Sequence, residues 1–288
     1  MKRSPVIFGE VLFDCFGDDC VLGGAPFNVA WHLQGFGLAP RFVSRVGADE
    51  LGEEVRARMR DWGMDTRWLQ TDASHPTGRV QVALQDGQPS YDILDQQAYD
   101  AIEPPQDLLC DDSVLYHGSL ALRHPANAAV LQNLSSGARV FLDVNLRAPW
   151  WDAQTLAPLI ANARWLKLND EEFDLLARAD ETPAEYAARM GLGAVVLTRG
   201  ARGAEVYAGD QHFETPTPTV PELIDTVGAG DAFSAVTLYG IDQGWPWELI
   251  LRRAAAFAAR VCGWRGALSH DRAIYEETAR EWRRANGD

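Results

Sequence analysis

The chain has 288 residues, 47% hydrophobic and 23% charged, which is enough for one large domain (1–288) with a sizeable core. Its 41 acidic and 26 basic residues leave a net charge of −15, which opposes non-specific binding to nucleic acid or to an anionic membrane. Glu10 and Asp14 interrupt the first apolar run, so neither a signal-peptide core nor a membrane span is expected; the four cysteines (Cys15, Cys20, Cys110, Cys262) lack metal spacing and are expected to be reduced, in a cytoplasmic protein.

Residues 6–8, 41–46, 114–116, 140–144, 165–168 and 194–198 read as short buried strands. Helical spacing occupies 28–36, 52–62, 126–134, 155–161, 171–179 and 183–190, and the chain beyond residue 231 is mostly helical, through 248–262 and 272–284. This alternation predicts α/β architecture, with βα units around a mostly parallel sheet. One region departs from it. Residues 79–84 and 90–94 alternate about an Asp86-Gly87-Gln88-Pro89 turn, the pattern of a β-hairpin. With 11–16 as a third strand it would form a small sheet, a lid built from about 11–22 and 78–99 that excludes water from a site below. The alternative is a hairpin extending the edge of the main sheet. Lid edges invite partners, so apolar residues between 80 and 99 are expected to pair two subunits in a homodimer.

The densest chemical signal is Asp225-Thr226-Val227-Gly228-Ala229-Gly230-Asp231, directly before an apolar run. It reads as a tight turn opening a helix, with outward N–H groups that suit an anion and a carboxylate, Asp231, placed to take a proton. Competing nucleotide signatures are missing: there is no G-x-x-x-x-G-K-[ST], and Phe233 stands where a dinucleotide fingerprint needs glycine. Gly23-Gly24-Ala25-Pro26-Phe27-Asn28 enters another helix, with Asn28 offering a donor and an acceptor; its plain reading is a loop-to-helix cap. Asp14 follows the first strand and suits a polyol, with a turn carboxylate as the plain reading.

Together these residues resemble the PfkB (ribokinase-like) carbohydrate kinases. Residues 23–30, with Gly37 and Gly47, are similar to the N-terminal signature of that family, and 225–231 to its C-terminal one. Asp143-Val144-Asn145-Leu146-Arg147 resembles its D-x-N-x-R, Asn169-Asp170-Glu171-Glu172 its N-x-x-E, and Thr198-Arg199-Gly200-Ala201-Arg202-Gly203 its glycine-containing nucleotide segment. The resemblance covers nearly the whole chain. It implies a ribokinase-like three-layer fold, a doubly wound sheet with helices on both faces and a small β lid, and an ATP- and Mg²⁺-dependent sugar kinase.

By the same resemblance Asp231 is the base, and Gly228, Ala229 and Gly230 supply the anion hole. Arg147 pairs with phosphate oxygens; Asp14, Gly24 and Asn28 hold the sugar; Asn145, Asn169, Thr198, Gly200 and Gly203 line the nucleotide. Asn169 and Glu172 meet Mg²⁺ through water, and Asp225 with Thr226 would form a monovalent-cation (K⁺) site. Arg147 as a surface ion pair and Glu172 as a first-turn helix carboxylate are the plain alternatives. Two positions depart from the pattern: Val236 replaces a small residue, implying looser helix packing, and Arg199 replaces a small or aliphatic one. From residue 80 to 122 there is no lysine or arginine, although Arg79 and Arg123 flank the stretch. That favours a neutral acceptor over a phosphorylated or carboxylated one. The motifs look most like the bacterial fructokinase branch, so fructose is favoured. A 2-keto-3-deoxygluconate or nucleoside kinase, or a silent sugar-sensing member, are the alternatives.

Overall fold

The computed structural model describes residues 4–17, 19–85, 88–108, 110, 112–220 and 222–286, without the side chains of 82–91 and 285–286. In chain order the elements are β1 (Val6–Phe8), β2 (Leu12–Phe16), β3 (Asp19–Gly23), α1 (Ala25–Gly35), β4 (Arg41–Gly47), α2 (Glu50–Trp62), β5 (Leu69–Asp72), β6 (Gly78–Gln85), β7 (Gln88–Ile93) and β8 (Val114–His117). They continue with α3 (Pro125–Ser135), β9 (Arg139–Asp143), α4 (Ala153–Asn162), β10 (Trp165–Asn169), α5 (Asp170–Leu176), α6 (Pro183–Met190) and β11 (Ala194–Thr198). The last are β12 (Ala204–Ala208), β13 (Gln211–Thr215), α7 (Ala229–Gln243), α8 (Trp247–Val261) and α9 (Arg272–Asn286).

Nine strands form one sheet in the order β13-β12-β11-β10-β9-β8-β1-β4-β5. From β11 to β5 every pairing is parallel; β12 and β13 close one edge as antiparallel strands. The period-2 pattern of the strands sorts their side chains into two cores. Ile7, Phe42, Tyr116, Phe141 and Val196 face helices α1, α2, α7, α8 and α9. Val6, Phe8, Val43, Leu142 and Val195 face α3 to α6. This is the expected three-layer α/β arrangement.

Six strands read from sequence are present, and four others were not legible. β3, β5, β12 and β13 are short or polar, and the burial of β13 has no apolar alternation to find. Helix α1 starts at Ala25 rather than 28 because Pro26 fits the first helical turn. Helix α5 ends at Leu176 rather than 179.

The hairpin belongs to a separate four-stranded sheet, ordered β3-β2-β6-β7, and does not extend the main one. Its turn residues Asp86 and Gly87 lie outside the described residues. Of the apolar side chains expected to meet a second subunit, Val80, Ile93 and Tyr99 are buried with Leu12, Leu120 and Ala121 instead. The exposed apolar residues of this sheet among the described ones are Phe16 and Val21.

Two points correct the expectations above. Cys15 and Cys20 face each other across β2 and β3 and form a disulfide, Cα–Cα 4.1 Å, so only Cys110 and Cys262 are thiols. Val236 is fully buried within the core and its helix is not loosely packed. In the same core Trp31 and Trp62 stack at 4.8 Å, and Phe36, Tyr239, Phe257, Tyr275 and Trp282 pack edge to face or tilted. These aromatic contacts join α1, α7, α8 and α9 into one rigid layer.

The disulfide joins residues only 5 apart in sequence, so loop closure alone contributes about 2 kcal/mol. Cys15→Ser/Cys20→Ser should therefore lower the unfolding free energy in urea by about 2 kcal/mol or less. A chain unfolded at room temperature would show that the bridge holds far more than this hairpin.

Candidate active site

The carboxyl ends of the parallel strands share one rim, where open α/β sheets place their ligands. Strand β9 ends there at Asp143, β10 at Asn169, β11 at Thr198, and β1 runs on toward Glu10. Helix α7 opens at the same rim. Its N-cap, Gly228, has φ 79°, and a Cβ there would lie 2.3 Å from the Ala267 side chain, so only glycine allows this turn. The preceding loop is pinned by Asp225, whose two oxygens accept from the N–H groups of Val227 (3.0 Å) and Gly266 (2.9 Å).

Of the predicted anion-hole donors, the Ala229 N–H donates to Thr226 O at 3.3 Å. The N–H groups of Gly228, Gly230 and Asp231 have no protein acceptor among the described residues, and Gly230 is exposed. The cradle thus comprises 228, 230 and 231, with three donors at the positive end of a 15-residue helix.

Asp231 lies in the first turn of α7. Asn28 Nδ2, from α1, donates to its Oδ2 at 2.7 Å across 203 residues of sequence. Burial pushes the Asp231 carboxyl up to about 6, with Asp143 adding to the rise and Asn28, Lys167 and Arg147 opposing it. Beneath it lies a polar knot that sequence reading did not single out. Asp143 is held by Lys167 Nζ at 2.8 and 3.0 Å, accepts from Ser234 Oγ at 2.6 Å and from Tyr116 OH at 3.3 Å. Burial disfavours the Lys167 ammonium, but Asp143 beside it outweighs that and raises its pKa. Lys167 was visible as one of only two lysines in the chain, set inside an apolar strand; Ser234 was visible three residues after Asp231 on the same helix face.

In the sequence Glu10 marks only an interruption of an apolar run. It is 3% exposed, with Oε2 unpartnered, and burial together with the Asp231 charge pushes it up to about 7 while Arg147 opposes the shift. Gly24 (φ 104°) rests on the Glu10 backbone, where a Cβ would be 2.9 Å from its carbonyl oxygen. Asp14 is half-buried, which raises its pKa, again with Arg147 opposing. Arg147 itself is exposed and meets no carboxylate at ion-pair distance among the described residues, only Leu146 O at 3.4 Å. The structure therefore gathers Asp14, Gly24, Asn28, Glu10, Arg147 and Asp231 close to one another at this rim.

The second group lies beside it. Asn169 and Thr198 are neighbours in register on β10 and β11; Asn145 takes φ 40°, and the Gly200 carbonyl accepts from Thr217 at 2.6 Å. Gly203 is buried, and Arg199 pairs with Glu205 at 2.7 Å, which gives that departure a local partner. Asn169 and Glu172 form a reciprocal capping box, and the second Glu172 oxygen accepts from the Leu146 N–H at 2.8 Å. Both carboxylate oxygens of Glu172 are thus engaged by backbone, and direct metal ligation does not fit this geometry. Both Asp225 oxygens are likewise engaged, and Thr226 is exposed. The one described cluster close enough to hold an ion, Asp95–Asp100–His124, is elsewhere and internally paired.

A family model for pfkB family carbohydrate kinases matches residues 4–272. The chain belongs to the PfkB family of carbohydrate kinases. It is 30% identical to an aminoimidazole riboside kinase from Salmonella typhimurium over 84% of this chain and 80% of that one. It is also 30% identical to a fructokinase from Klebsiella pneumoniae, over 84% of each. A double mutant of the Vibrio cholerae O395 fructokinase, in a fructose-, ADP- and potassium-bound form, superimposes with TM-score 0.82 at 22% identity, covering 97% of this chain and 99% of that one. The ribokinase-like fold and sugar kinase activity follow from this membership. Among the described residues no helix is long and apolar enough to cross a membrane.

This PfkB kinase carries a measurable pH signature. Glu10, at 4.5 when unfolded and about 7 when folded, binds its proton more tightly in the folded state, so its contribution to stability falls as pH rises between those values. Glu10→Gln cannot ionise. Its stability relative to the parent should improve by up to about 3 kcal/mol between pH 4 and pH 8 in urea titrations, at about 1.36 kcal/mol per pKa unit. A pH-independent difference would place the Glu10 carboxyl in water.

Proposed function

We propose that this kinase transfers the γ-phosphoryl group of ATP to a hydroxyl of a neutral sugar, with fructose the favoured acceptor. The observation that carries the reading is the Asn28–Asp231 hydrogen bond at the foot of the N–H turn of α7. It fixes one carboxylate oxygen of Asp231 and leaves Oδ1 for the acceptor. As the sugar oxygen bonds to the γ-phosphorus, its proton passes to Oδ1, and the bond to the β-phosphate oxygen breaks to release ADP. Negative charge on the transferring group meets the N–H groups of 228, 230 and 231, and Arg147 adds a cation. Asn145, Asn169, Thr198, Gly200 and Gly203 border the nucleotide. Mg²⁺ brought with ATP would neutralise phosphate charge, its water shell meeting Asn169 and Glu172. A K⁺ near Asp225 and Thr226 is the corresponding reading for the monovalent ion.

Charge supports a neutral acceptor. Glu10, Asp14 and Asp231 line the cleft against the single exposed Arg147, so an acceptor bearing phosphate or carboxylate would meet net repulsion. The Klebsiella fructokinase relative supports fructose, and the Salmonella relative keeps a riboside as the second reading. The presence of both Asp231 and its turn favours catalysis over a silent sensor.

A screen for ADP release over fructose, other neutral sugars, 2-keto-3-deoxygluconate, ribosides and sugar phosphates should show turnover with a neutral acceptor; preference for a sugar phosphate would overturn the charge argument. Asp231→Asn should lower kcat by about 10³-fold with ATP binding retained. Because the base works unprotonated, kcat/KM for the acceptor should fall as pH drops through about 6. Asn28→Ala removes a bond that favours the ionised carboxylate, so this limb should move to higher pH. Near-normal turnover by Asp231→Asn, or an unmoved limb, would remove Asp231 from the role of base.

A further inference from the structure

Outside the catalytic cluster a buried cation, Arg123, stands where the lid sheet, the turn at 98–101 and the loop after β9 meet. Its side chain is 2% exposed and that of its partner Asp100 is 5% exposed. Arg123 Nε and Nη2 donate to the two Asp100 oxygens at 2.8 and 2.6 Å. Nη2 also reaches Leu94 O, one residue past β7, at 2.6 Å and Tyr99 OH at 3.1 Å. The guanidinium carbon lies over the Trp150 ring, 4.2 Å from its centre.

Two of these partners, Tyr99 and Trp150, lead on to residues of the proposed site. The Tyr99 ring packs on the start of β6 at Gly78, where a Cβ would be only 2.6 Å from the ring. Gly78 pairs with Leu12 of β2, the strand that carries Asp14. On the other side, the Trp150 N–H donates to Arg147 O at 2.7 Å, so the stacked ring braces the backbone of Arg147. Leu12, Val80, Ile93, Tyr99, Leu120 and Ala121 fill the space under the lid, with Trp150 against them.

Stability alone does not account for this arrangement, because a buried ion pair is often matched or bettered by apolar residues of similar size. What only a guanidinium supplies is simultaneous bonding to a carboxylate, a strand-end carbonyl and a phenol while one face stacks on indole. We propose that Arg123 is a positioning residue for phosphoryl transfer: it fixes the lid sheet and the 145–151 loop relative to each other and so sets the gap between Asp14 and Arg147. This rests on the proposed reading that Asp14 holds the acceptor and Arg147 meets the group transferred to it.

Arg123→Met/Asp100→Asn leaves no unpaired buried charge, and Arg123→Lys keeps the charge without the fork or the plane. In nucleotide-free protein the double variant should exchange amide hydrogens at least tenfold faster over 12–23 and 78–94, with 139–144 and 165–169 unchanged. Its KM for the acceptor should rise at least tenfold while KM for ATP stays within twofold, and Arg123→Lys should fall between it and the parent. Unchanged lid exchange, equal acceleration of the core strands, a parallel rise in both KM values, or faster lid exchange with an unchanged acceptor KM would each overturn the proposal. If the parent phosphorylates no acceptor in the screen, the proposed reaction falls, and the exchange comparison alone decides Arg123.

Discussion

The buried pair of Asp143 and Lys167 determines where helix α7 can begin, and the active site is built from that point. The two residues face each other in register on β9 and β10, in the middle of the main sheet. Removing two charges from water costs several kcal/mol each, so such a pair persists only with good geometry and further hydrogen bonds. Here Ser234 and Tyr116 supply them. Ser234 Oγ also lies 3.0 Å from Gly230 O, and a Cβ on Gly230 would be 3.8 Å from Lys167 Nζ. The first turn of α7 is therefore seated on an ionic floor, and its unpaired N–H groups can point in only one direction. Losing either charge would strand the other at a cost of about 3–5 kcal/mol and would unseat the turn.

Aromatic packing completes the placement from the other side. Asn28 reaches Asp231 only because α1 lies against α7, and the rings of α1, α7, α8 and α9 interlock there. The valine at 236, in a position the family usually gives to a smaller side chain, is absorbed by this layer without exposure. In the proposed mechanism rigidity of the layer matters because Asp231 must hold its position relative to the acceptor oxygen within about 0.5 Å.

The parts of the fold legible from sequence are those with strong local periodicity. Central strands buried on both faces read as continuous apolar runs, and the turn before α7 declares itself because its glycine chemistry is local. Of the four strands not legible, β3, β5 and β13 sit at sheet edges, where polar residues suffice. Site residues divide the same way. Asp231 and Asn28 stand out in glycine-rich turns, whereas Lys167, Ser234 and Glu10 acquire meaning only from partners 24 to 91 residues away or, for Glu10, from burial in the tertiary structure. Glu172 shows the limit of a motif: its spacing from Asn169 suits a metal shell and a capping box alike, and the observed hydrogen bonds are those of the box. Cys15 and Cys20 have no metal spacing, but the antiparallel register of β2 and β3 sets them opposite each other.

The same burial that shapes the cleft also limits its charge. Three carboxyls within reach of one arginine would repel each other strongly if all were ionised. Burial moves Glu10 to about 7 and Asp231 to about 6, so near neutral pH the former is partly protonated while the latter remains largely ionised. The cleft then offers a hydrogen-bond donor at Glu10 and acceptors at Asp231 and Asp14. A polyol can satisfy all three, since each hydroxyl both donates and accepts. In the proposed reading, a phosphate or carboxylate on the acceptor would meet Arg147, which is exposed and shielded by solvent, while the neighbouring carboxylates would repel it. Under the proposed reading, a preference for neutral acceptors needs no dedicated residue: acidic groups gathered beside one exposed arginine supply it.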